Sequence, residues 1–482
     1  MLTLLVTGVV LLYRIGDMPV EQFDEARVAN NALEMSNGGL SLVTTYLGQP
    51  DHYNTKPPLL VWAMYGTFQV LGPTELAVRL PSVLAAGATA LLVFTFCAVR
   101  LRRPLAGVVS AAVLFAIPDE FLFHGARSGD YDALLALWTT VFLLASYLYF
   151  SDGAKRQGRW LTIAAVALAL GFMTKSVEAF VFVPVIPLYA VFTGRLRTMF
   201  ADKRVWVAAA GVTAVVIMWG VARELADPGY LAAALQNDVF GRSLSVIEGH
   251  AGDLFYYVSS GEAKLAMPAL VIATLIASLG RPQLRRLARF TGLSMAVYLV
   301  AISLVATKAP WYLLPLFPLA ALEVALSMEA IRDFVVTHYP RWSSLATAVI
   351  TGAALVGVVA VGVLAVRGID ARISDTFAND TYQYSLFMRG PLMSAEPMDL
   401  VVVHPGYGQR VPYFAAAQFY ATQLETRGAK ISIQLGGDPL PPASDLLLAC
   451  GPTLEDLVQS GVADAPVLVD GPCGIYRVRQ AP

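Results

Sequence analysis

The chain has 482 residues, of which 56% are apolar and 14% are charged, and its mean hydropathy is +0.60. A soluble globular protein carries about 25% charged residues, so this composition excludes an ordinary cytosolic enzyme as well as a disordered protein. The net charge of −1 argues against a nucleic-acid-binding protein. Three cysteines are too few for a disulfide framework or a four-ligand zinc site. The composition predicts a polytopic membrane protein.

Apolar stretches approaching the roughly 20 residues that a membrane helix needs occur eleven times along the chain. Their approximate bounds are 2–16, 77–99, 104–123, 132–150, 160–174, 177–193, 205–222, 264–280, 289–306, 311–330 and 343–366. The first stretch lacks a basic n-region and a small-residue cleavage site, so it is interpreted as a span rather than a signal peptide. The predicted fold class is therefore a polytopic α-helical membrane protein with about eleven transmembrane helices.

The short loops between these stretches indicate an orientation. Arg and Lys cluster in five loops on one side of the eleven-span arrangement, at 100–103, 155–159, 195–204, 281–289 and 332–341. The positive-inside rule assigns that side to the cytoplasm. The N-terminus is then cytoplasmic, and the long polar segments 17–76, 223–263 and 367–482 face outward. Because functional residues gather on irregular polar segments, we expect the chemistry on the extracytoplasmic face.

The segment after residue 366 has a different character. Its first part, 367–397, is polar and irregular. A helix is predicted at 412–427, and strands are predicted at 399–404, 431–435, 446–450, 466–470 and 475–478. These patterns predict a small extracytoplasmic, periplasmic α/β domain at 367–482, after a transmembrane catalytic module at 1–366. Cys450 and Cys473 lie on or beside its strands, where an oxidising compartment allows a disulfide, with two free thiols as the alternative.

Two charged motifs stand out in the first external loop. Asp24 and Glu25 immediately precede an amphipathic helical pattern at 28–35. They are either a helix cap favoured by the helix dipole or a carboxylate held at the membrane surface as a general base. Lys56 lies in a Lys-Pro-Pro sequence before the apolar segment 59–71, for which we predict an interfacial helix. This lysine either extends to the lipid headgroups or binds a lipid phosphate.

The other external turns also place charge beside the hydrocarbon, where a charged residue is a functional candidate by default. Asp130 and Asp132 lie at the outer end of one predicted span, again either as a cap or as site residues. Lys175 and Lys308 occupy the outer boundary of later spans. In the segment 223–263, His250 and Glu248 are candidate ligands for Zn²⁺ or Mn²⁺, with a purely structural histidine as the alternative.

Taken in order, these motifs resemble those of the GT-C glycosyltransferases, within the branch of the protein O-mannosyltransferases and the lipid A aminoarabinose transferases. The resemblance covers about residues 15–320. Its carriers are FDEARVANNALEM at 23–35, TKPPLLVW at 55–62, RLPS at 79–82, ARSGDYDALL at 126–135, TKS at 174–176, GRSLSVIEGHAGDLFYY at 241–257 and KAPWYLLPLFPLAAL at 308–322. The resemblance implies a GT-C fold and an enzyme of the bacterial cytoplasmic (inner) membrane that takes a sugar from a polyprenyl phosphate.

The resemblance also implies residue roles. Asp24 matches an aspartate that acts as general base or orients the acceptor, and Glu25 matches the residue that follows it. Asp132, or alternatively Asp130, matches the second-turn carboxylate. The candidates for binding the donor phosphate are Lys56, Arg27, Lys308, Tyr312, Lys175, Arg242 and Tyr53.

A divalent cation, Zn, Mn or Mg, is a further expectation, although the sequence does not require one. His250 matches a loop histidine that can ligate metal in the aminoarabinose transferases, and Glu248 is its candidate partner. In those enzymes an acidic residue precedes the Lys-Pro-Pro lysine and helps to hold the metal. Here Thr55 stands at that place, which weakens the case for such a site.

The predicted function is transfer of a sugar from a polyprenyl phosphate, undecaprenyl or decaprenyl, to an envelope lipid or glycan, with a protein acceptor as an alternative. Direct displacement inverts the anomeric configuration, and the sequence shows no nucleophile of the kind that retaining chemistry needs. The expected partners are the donor, the acceptor and membrane lipids, without nucleic acid. A lipid-linked saccharide transporter or flippase is the competing interpretation, but transporters place charges near the bilayer midplane. A membrane-anchored binding protein is the third.

Overall fold

The fold is that of a computed structural model, which describes residues 2–116, 118–241, 244–246, 249–259, 263–406, 414–435 and 445–479. The chain divides into two compact units. The first unit consists of Met1–Tyr13, Pro50–Leu60 and Pro81–Arg367. The second unit consists of Arg14–Gln49, Val61–Leu80 and Gly368–Pro482. The boundary predicted after residue 366 stays a prediction, and the second unit also includes two segments from the N-terminal part of the chain.

Helices form most of the described chain. The α-helices are Leu2–Leu12, Asp24–Gly38, Leu59–Leu71, Glu75–Thr95, Pro104–Val113, Asp132–Ser151, Ala154–Lys175, Val185–Phe192, Leu196–Ala201, Lys203–Ala226, Tyr230–Ala234, Tyr256–Ser259, Ala263–Ser278, Pro282–Leu304, Phe317–His338, Ser343–Ala378, Gln383–Phe387, Ala415–Thr426 and Gly451–Gln459. The 3₁₀ segments are Ser176–Phe182, Pro310–Leu316, Pro340–Trp342 and Asp380–Tyr382. The π-helical segments are Phe96–Arg100, Pro118–Ala126, Leu235–Gly241 and Met388–Leu392.

Among the described residues, seven helical runs are long and apolar enough to cross a membrane. They are Glu75–Arg100, Asp132–Ser151, Lys155–Phe192, Lys203–Ala226, Pro282–Leu304, Pro310–His338 and Pro340–Ala378. Four other apolar helices are shorter: Thr3–Leu12, Leu59–Leu71, Pro104–Val113 and Met267–Ser278. The predicted count of eleven spans is therefore not confirmed. Three predicted spans coincide with short helices, and the pair at 160–174 and 177–193 forms one continuous run.

Aromatic and small side chains build the core of the first unit. Tyr189 and Phe290 meet edge to face with ring centres 4.9 Å apart, and Phe182 stacks on Tyr298 at 4.5 Å. Such pairs add to the free energy of apolar burial. Gly107 allows a close helix contact, because a Cβ there would lie 2.7 Å from the carbonyl oxygen of Phe94. Small residues at helix contacts are typical of membrane proteins.

An ion-pair network joins three helix ends of the first unit. Arg103 donates to Glu329 at 2.7 Å and to both carboxylate oxygens of Asp333 at 2.8 and 2.7 Å. Arg281 and Arg332 add contacts to Asp333 and Glu329 at 3.1 and 3.0 Å. All three arginines belong to the loops that the charge pattern assigns to one side of the membrane. These basic loops therefore also have a structural role, since they hold carboxylates of the same network.

The second unit contains two small sheets. A two-stranded sheet pairs β1 (Thr45–Tyr46) with β2 (Gln49–Pro50). The five-stranded sheet consists of β3 (Leu400–His404), β4 (Ile431–Leu435), β5 (Leu446–Cys450), β6 (Ala463–Asp470) and β7 (Cys473–Val478). Its strand order is β4-β3-β5-β7-β6, in which β3 runs parallel to β4 and β5 while β7 runs antiparallel to β5 and β6. All five predicted C-terminal strands are thus present.

Two of the three cysteines, Cys450 and Cys473, form a disulfide. Cys450 ends β5 and Cys473 begins β7, and the antiparallel register places them directly opposite each other with Cα atoms 4.0 Å apart. The disulfide alternative is therefore the one that the structure adopts. Cys97, the third cysteine, is buried and free.

One expectation for the C-terminal segment is wrong. Residues 367–397 were expected to be irregular, but the helix Ser343–Ala378 continues well beyond the apolar stretch. Short helical segments then follow up to Leu392. Hydropathy marks where the apolar residues end, whereas the backbone hydrogen bonds of a helix continue through the Arg, Asp and Ser residues that follow. The helix Gly451–Gln459 was not predicted either.

Candidate active site

A buried polar turn of the first unit leads into the helix that begins at Asp132. It follows the π-helical segment Pro118–Ala126. Arg127 holds the turn by donating to three backbone carbonyl oxygens at and just after the end of the first helix, at 2.7 to 3.0 Å. Ser82, from the RLPS motif, donates to the carbonyl oxygen of Asp130 at 3.0 Å. The positions of the two aspartates are thus fixed by hydrogen bonds to neighbouring helices.

Four ionisable side chains converge at this turn, and we name them the charged cluster: His124, Asp130, Asp132 and Lys175. Nζ of Lys175 lies 2.7 Å from Oδ1 of Asp132, and these side chains are 7% and 1% exposed. Nε2 of His124 lies 3.1 Å from Oδ2 of Asp130 and 3.5 Å from Oδ2 of Asp132. Both second-turn carboxylates therefore belong to one site.

Burial and opposite charge compete in this cluster. Burial lowers the pKa of His124, but the carboxylates of Asp130 and Asp132 outweigh it and raise that pKa to about 10. Burial raises the pKa of Asp130, but contact with His124 and the charge of Lys175 outweigh it and hold that pKa well below its usual range. Strongly perturbed ionisable groups that share a buried site are typical of functional sites.

Aromatic rings of the KAPWYLLP motif lie against the cluster. Trp311 stacks on the His124 ring with centres 4.6 Å apart. Tyr312 presents its ring to the ammonium of Lys175, 5.8 Å away. His250 contacts the same indole edge to face at 5.2 Å. His250 therefore borders the site through Trp311, while His124 is the imidazole inside it.

The loop that carries Lys56 is tied to the same turn. Nζ of Lys56 lies 5.2 Å from the centre of the Tyr131 ring, within cation–π range. The Tyr131 hydroxyl exchanges hydrogen bonds with the Asn54 side chain at 2.9 and 3.2 Å. Tyr230 donates to the carbonyl oxygen of Thr55 at 2.8 Å. Within the part of the chain that the structure describes, Lys56 forms no ion pair, so its charge is available to an anionic ligand.

A second anchor holds this loop from the other side. Asp227 accepts from buried Arg223 at 2.7 Å, and Nε2 of His52 lies 2.8 Å from the same carboxylate oxygen. Burial raises the pKa of Asp227, but these two partners outweigh it and lower that pKa. The Thr55 hydroxyl donates to Asp238 at 3.2 Å. Thr55, at the place for which the motif resemblance implies an acidic residue, thus has a hydrogen bond of its own.

Lys308 has contacts that differ from its predicted phosphate-binding role. Its ammonium is buried and donates to the carbonyl oxygens of Ile302, Ser303 and Val305, at 3.3 Å and 2.7 Å for the first two. An ammonium has three N–H donors, and three carbonyls accept them here. Burial also lowers the pKa of Lys308, against the weaker attraction of Asp253. In this conformation Lys308 caps the end of the helix that precedes it.

In the second unit, the neighbours Asp24 and Glu25 have opposite surroundings. Asp24 is exposed at the start of the helix Asp24–Gly38. Glu25 is 2% exposed and forms a two-bond ion pair with Arg79, Nε to Oε1 and Nη2 to Oε2, both at 2.9 Å. Phe23, immediately before them, has a φ of +77°. A non-glycine residue in that region is strained, and such strain concentrates at functional sites.

The remaining predicted residues are distributed as follows. The Arg27 guanidinium stacks on the Tyr46 ring at 3.6 Å, within the second unit. Tyr53 is 52% exposed and its backbone N–H donates to Asp51. Arg242 and Glu248 lie outside the described residues, so the predicted Glu248–His250 metal pair stays a prediction.

Two residues that are prominent in the structure, His124 and Arg79, are absent from the residues predicted from the sequence. His124 lies two residues before the ARSGDYDALL motif, in a chain with only five histidines. A rare histidine so close to a charged motif is the sequence feature that could have indicated its role. Arg79 stands in the RLPS motif but was assigned no role, because its partner Glu25 is 54 residues away in sequence.

Comparison with known proteins places these residues in a wider context. Residues 55–234 match the family model described as dolichyl-phosphate-mannose-protein mannosyltransferase. Two relatives are the undecaprenyl phosphate-alpha-4-amino-4-deoxy-L-arabinose arabinosyl transferases of Pseudomonas savastanoi pv. phaseolicola, 26% identical, and Serratia proteamaculans, 28% identical. Each alignment covers 64% of this chain, and 57% and 56% of the relative. The chain thus spans a little over half the length of these curated relatives.

Solved structures share the fold. The crystal structure of ArnT from Cupriavidus metallidurans bound to undecaprenyl phosphate superposes with a TM-score of 0.68 at 16% identity, over 99% of this chain and 97% of that one. The apo oligosaccharyltransferase of Archaeoglobus fulgidus gives 0.54 at 11% identity, over 93% and 68%. The resemblance predicted from the motifs is confirmed: the chain has the GT-C fold and is related in sequence to the undecaprenyl phosphate aminoarabinose transferases.

Proposed function

We propose that this chain is a membrane glycosyltransferase that moves a sugar from a polyprenyl phosphate to an envelope lipid or glycan on the outer face of the bacterial cytoplasmic membrane. The observation that carries the proposal is that the first unit contains an ammonium without an ion pair beside a turn whose buried carboxylate is already paired. Lys56 has no ion pair in the described chain, and its ammonium lies 5.2 Å from the centre of the Tyr131 ring. Tyr131 immediately precedes Asp132, whose buried carboxylate is paired with Lys175. A phosphate is the anion that such a site is suited to bind.

The chemistry is a single displacement. The acceptor hydroxyl oxygen forms a bond to the anomeric carbon while the bond from that carbon to the phosphate oxygen breaks. Asp24, the exposed carboxylate of the first loop, takes the hydroxyl proton. The electron pair leaves with the polyprenyl phosphate, and Lys56 stabilises the charge that develops there. This sequence of events inverts the configuration of the sugar.

Other predicted residues take supporting roles in this proposal. Glu25 is a positioning residue for Asp24, because its ion pair with Arg79 fixes the start of the helix that carries both. Asp132 orients Lys175, whose ammonium also lies 3.3 Å from Glu178. Lys175 is thereby held within the charged cluster as a second cation for the donor.

The relatives support a polyprenyl phosphate as the donor, and they are compatible with either a lipid or glycan acceptor or a protein acceptor. Their names specify a sugar carried on undecaprenyl phosphate, which supports a polyprenyl phosphate donor here. The family model names a protein acceptor, so transfer to protein is the second candidate. The basic loops support an orientation with a cytoplasmic N-terminus and an outer C-terminal domain.

Mass spectrometry of envelope glycolipids, glycans and proteins from cells with and without this chain tests the proposal. We expect one glycosylated lipid or glycan species to disappear when the chain is absent and to return with the wild type. The species should not return with Asp24→Asn. Loss of a glycosylated protein alone would favour the second candidate. An unchanged envelope would contradict glycosyl transfer.

A further inference from the structure

Three ligand-type atoms of the charged cluster converge on one point. Nε2 of His124 and one carboxylate oxygen each from Asp130 and Asp132 lie within 4.8 Å of one another. The imidazole nitrogen is 3.1 Å and 3.5 Å from the two carboxylate oxygens. Atoms that share a cation through bonds of about 2.0–2.2 Å sit about 3.0–3.5 Å apart. The imidazole thus has the spacing of a neighbouring ligand to both carboxylates.

Two of these atoms have no hydrogen-bond partner within the described part of the chain. Oδ2 of Asp132 and Nε2 of His124 are both buried, and Asp132 as a whole is 1% exposed. The 3.1 Å contact of His124 with Asp130 lacks the alignment of a hydrogen bond. A buried polar atom without a partner costs about 1–3 kcal/mol. Both atoms are directed at the same small region, where a ligand can satisfy them together.

The charges of the region favour a bound cation. Asp130 and Asp132 are buried carboxylates, with side chains 6% and 1% exposed. The ammonium of Lys175 lies 2.7 Å from Asp132, and its other carboxylate contact, Glu178, is 28% exposed. One buried negative charge therefore remains beside Lys175, and uncompensated charge in a buried site is costly.

We propose that His124, Asp130 and Asp132 bind a divalent transition-metal ion, Zn²⁺ or Mn²⁺. One imidazole and two carboxylates form a donor set that suits these ions. Three protein ligands leave a coordination position open, as catalytic metal sites do. If the proposed function holds, that position takes an oxygen of the donor phosphate, close to the cation of Lys56.

This site differs from the pair predicted at Glu248 and His250. The His250 ring packs edge to face on Trp311, and it is not among the three converging atoms. Thr55, at the place for which the motif resemblance implies an acidic ligand, donates its hydroxyl to Asp238 and offers no carboxylate. In the proposed site, Asp130 and Asp132 come from the second external turn, and His124 comes from the π-helical segment that precedes it.

Metal binding by the purified full-length protein, without any donor, tests the proposal. The chelator-stripped protein is titrated with Zn²⁺ alone by calorimetry and with Mn²⁺ alone by electron paramagnetic resonance. We expect one ion per chain and a loss of affinity of at least tenfold in His124→Gln and in Asp130→Asn, as expected for removal of one ligand from a three-ligand site. His250→Gln is the matched control and should bind like the wild type. Metal-free melting curves check that each variant is folded.

A second measurement does not depend on folding of the cluster variants. Pulsed resonance of Mn²⁺ in His250→Gln should still show coupling to an imidazole nitrogen. Absence of binding, unchanged affinity in both cluster variants, or loss of that coupling would overturn the site. Because no donor is present, these results are independent of glycosyl transfer. A protein that binds the ion but transfers no sugar would contradict only the proposed function.

Discussion

Single residues in this chain acquire their roles from their partners rather than from their type. Asp24 and Glu25 are adjacent carboxylates, yet one is exposed and the other forms a buried two-bond ion pair. Lys56 and Lys308 are both boundary lysines, yet Lys308 donates to three helix-end carbonyls while Lys56 faces an aromatic ring. The sequence predicts that such charges matter, but only the partners distinguish a catalytic group from a positioning group.

The buried pair in the second unit gives a stability prediction. Arg79→Met leaves the Glu25 carboxylate buried without its partner, so we expect the free energy of unfolding to fall by about 3–5 kcal/mol. Thermal melting in detergent measures the effect. Glu25→Leu combined with Arg79→Met removes both charges and should recover much of the loss. A single variant that melts like the wild type would contradict this role for the pair.

His404 at the end of β3 gives a pH prediction. Its ring is buried, Nδ1 accepts from the backbone N–H of Gly406 at 2.9 Å, and burial lowers its pKa to about 4. The unfolded value is about 6.5. Because the folded pKa is the lower one, protons bind the unfolded state preferentially, and the stability from neutral His404 is lost as pH falls from about 6.5 to 4.

We therefore expect the melting temperature of the wild type to fall more steeply over that pH range than that of His404→Phe. Carboxylates titrate in both proteins, so the difference between the two curves isolates the histidine. Parallel curves would show that His404 does not carry this pH dependence.

At the scale of elements, the Lys-Pro-Pro loop depends on helices far away in sequence. Tyr230 holds Thr55 through one hydrogen bond, and Arg223 with Asp227 holds His52. These contacts place Lys56 without touching it. The conformation of the loop that carries Lys56 is thus fixed by hydrogen bonds from the segment around residues 223–230.

Tyr230→Phe tests this positioning. It removes the hydrogen bond to the carbonyl oxygen of Thr55, worth about 1 kcal/mol, and also the one that the hydroxyl accepts from Nε1 of Trp219 at 3.1 Å. We therefore expect the KM for the donor to rise at least about fivefold, with little change in kcat. Tyr339→Phe, at a half-exposed tyrosine, is the matched control and should leave both constants unchanged. An equal fall in kcat and kcat/KM would instead place Tyr230 in the chemical step.

The sequence predicted elements well where local pattern decides them. The strands at 431–435 and 446–450 agree with β4 and β5 at both ends, because short apolar runs between polar turns leave few alternatives. The predicted span count is not confirmed where local pattern is insufficient. The helix that begins at Pro104 ends at Val113, and the less apolar π-helical segment Pro118–Ala126 follows it inside the predicted stretch 104–123.

The same limit applies to the site. Asp130, Asp132 and Lys175 were found because charge is rare and these charges border apolar stretches. His124 and Arg79 were missed because their importance lies in contacts that the tertiary fold creates. The order of the motifs along the chain indicated the family better than any single motif did, because each motif alone is short and unspecific.

At the scale of the whole molecule, charged residues are few, and several of the buried ones form ion pairs. Arg103 with Glu329 and Asp333, and Lys175 with Asp132, satisfy buried charges inside the first unit. Against that background, the ammonium of Lys56 lacks an ion pair in the described chain. This property, together with its place beside the buried charged cluster's turn, is why Lys56 is the proposed anion-binding residue.

The most direct test of the central claim is sugar transfer by the purified protein in liposomes. Synthetic sugars on undecaprenyl phosphate are supplied with an envelope lipid extract, and the release of undecaprenyl phosphate is measured together with the glycosylated product. We predict equal amounts of both with the wild type, none with a folded Asp24→Asn variant, and a raised donor KM with Lys56→Met. Full transfer by Asp24→Asn, or no transfer by the wild type from any such donor, would contradict the account.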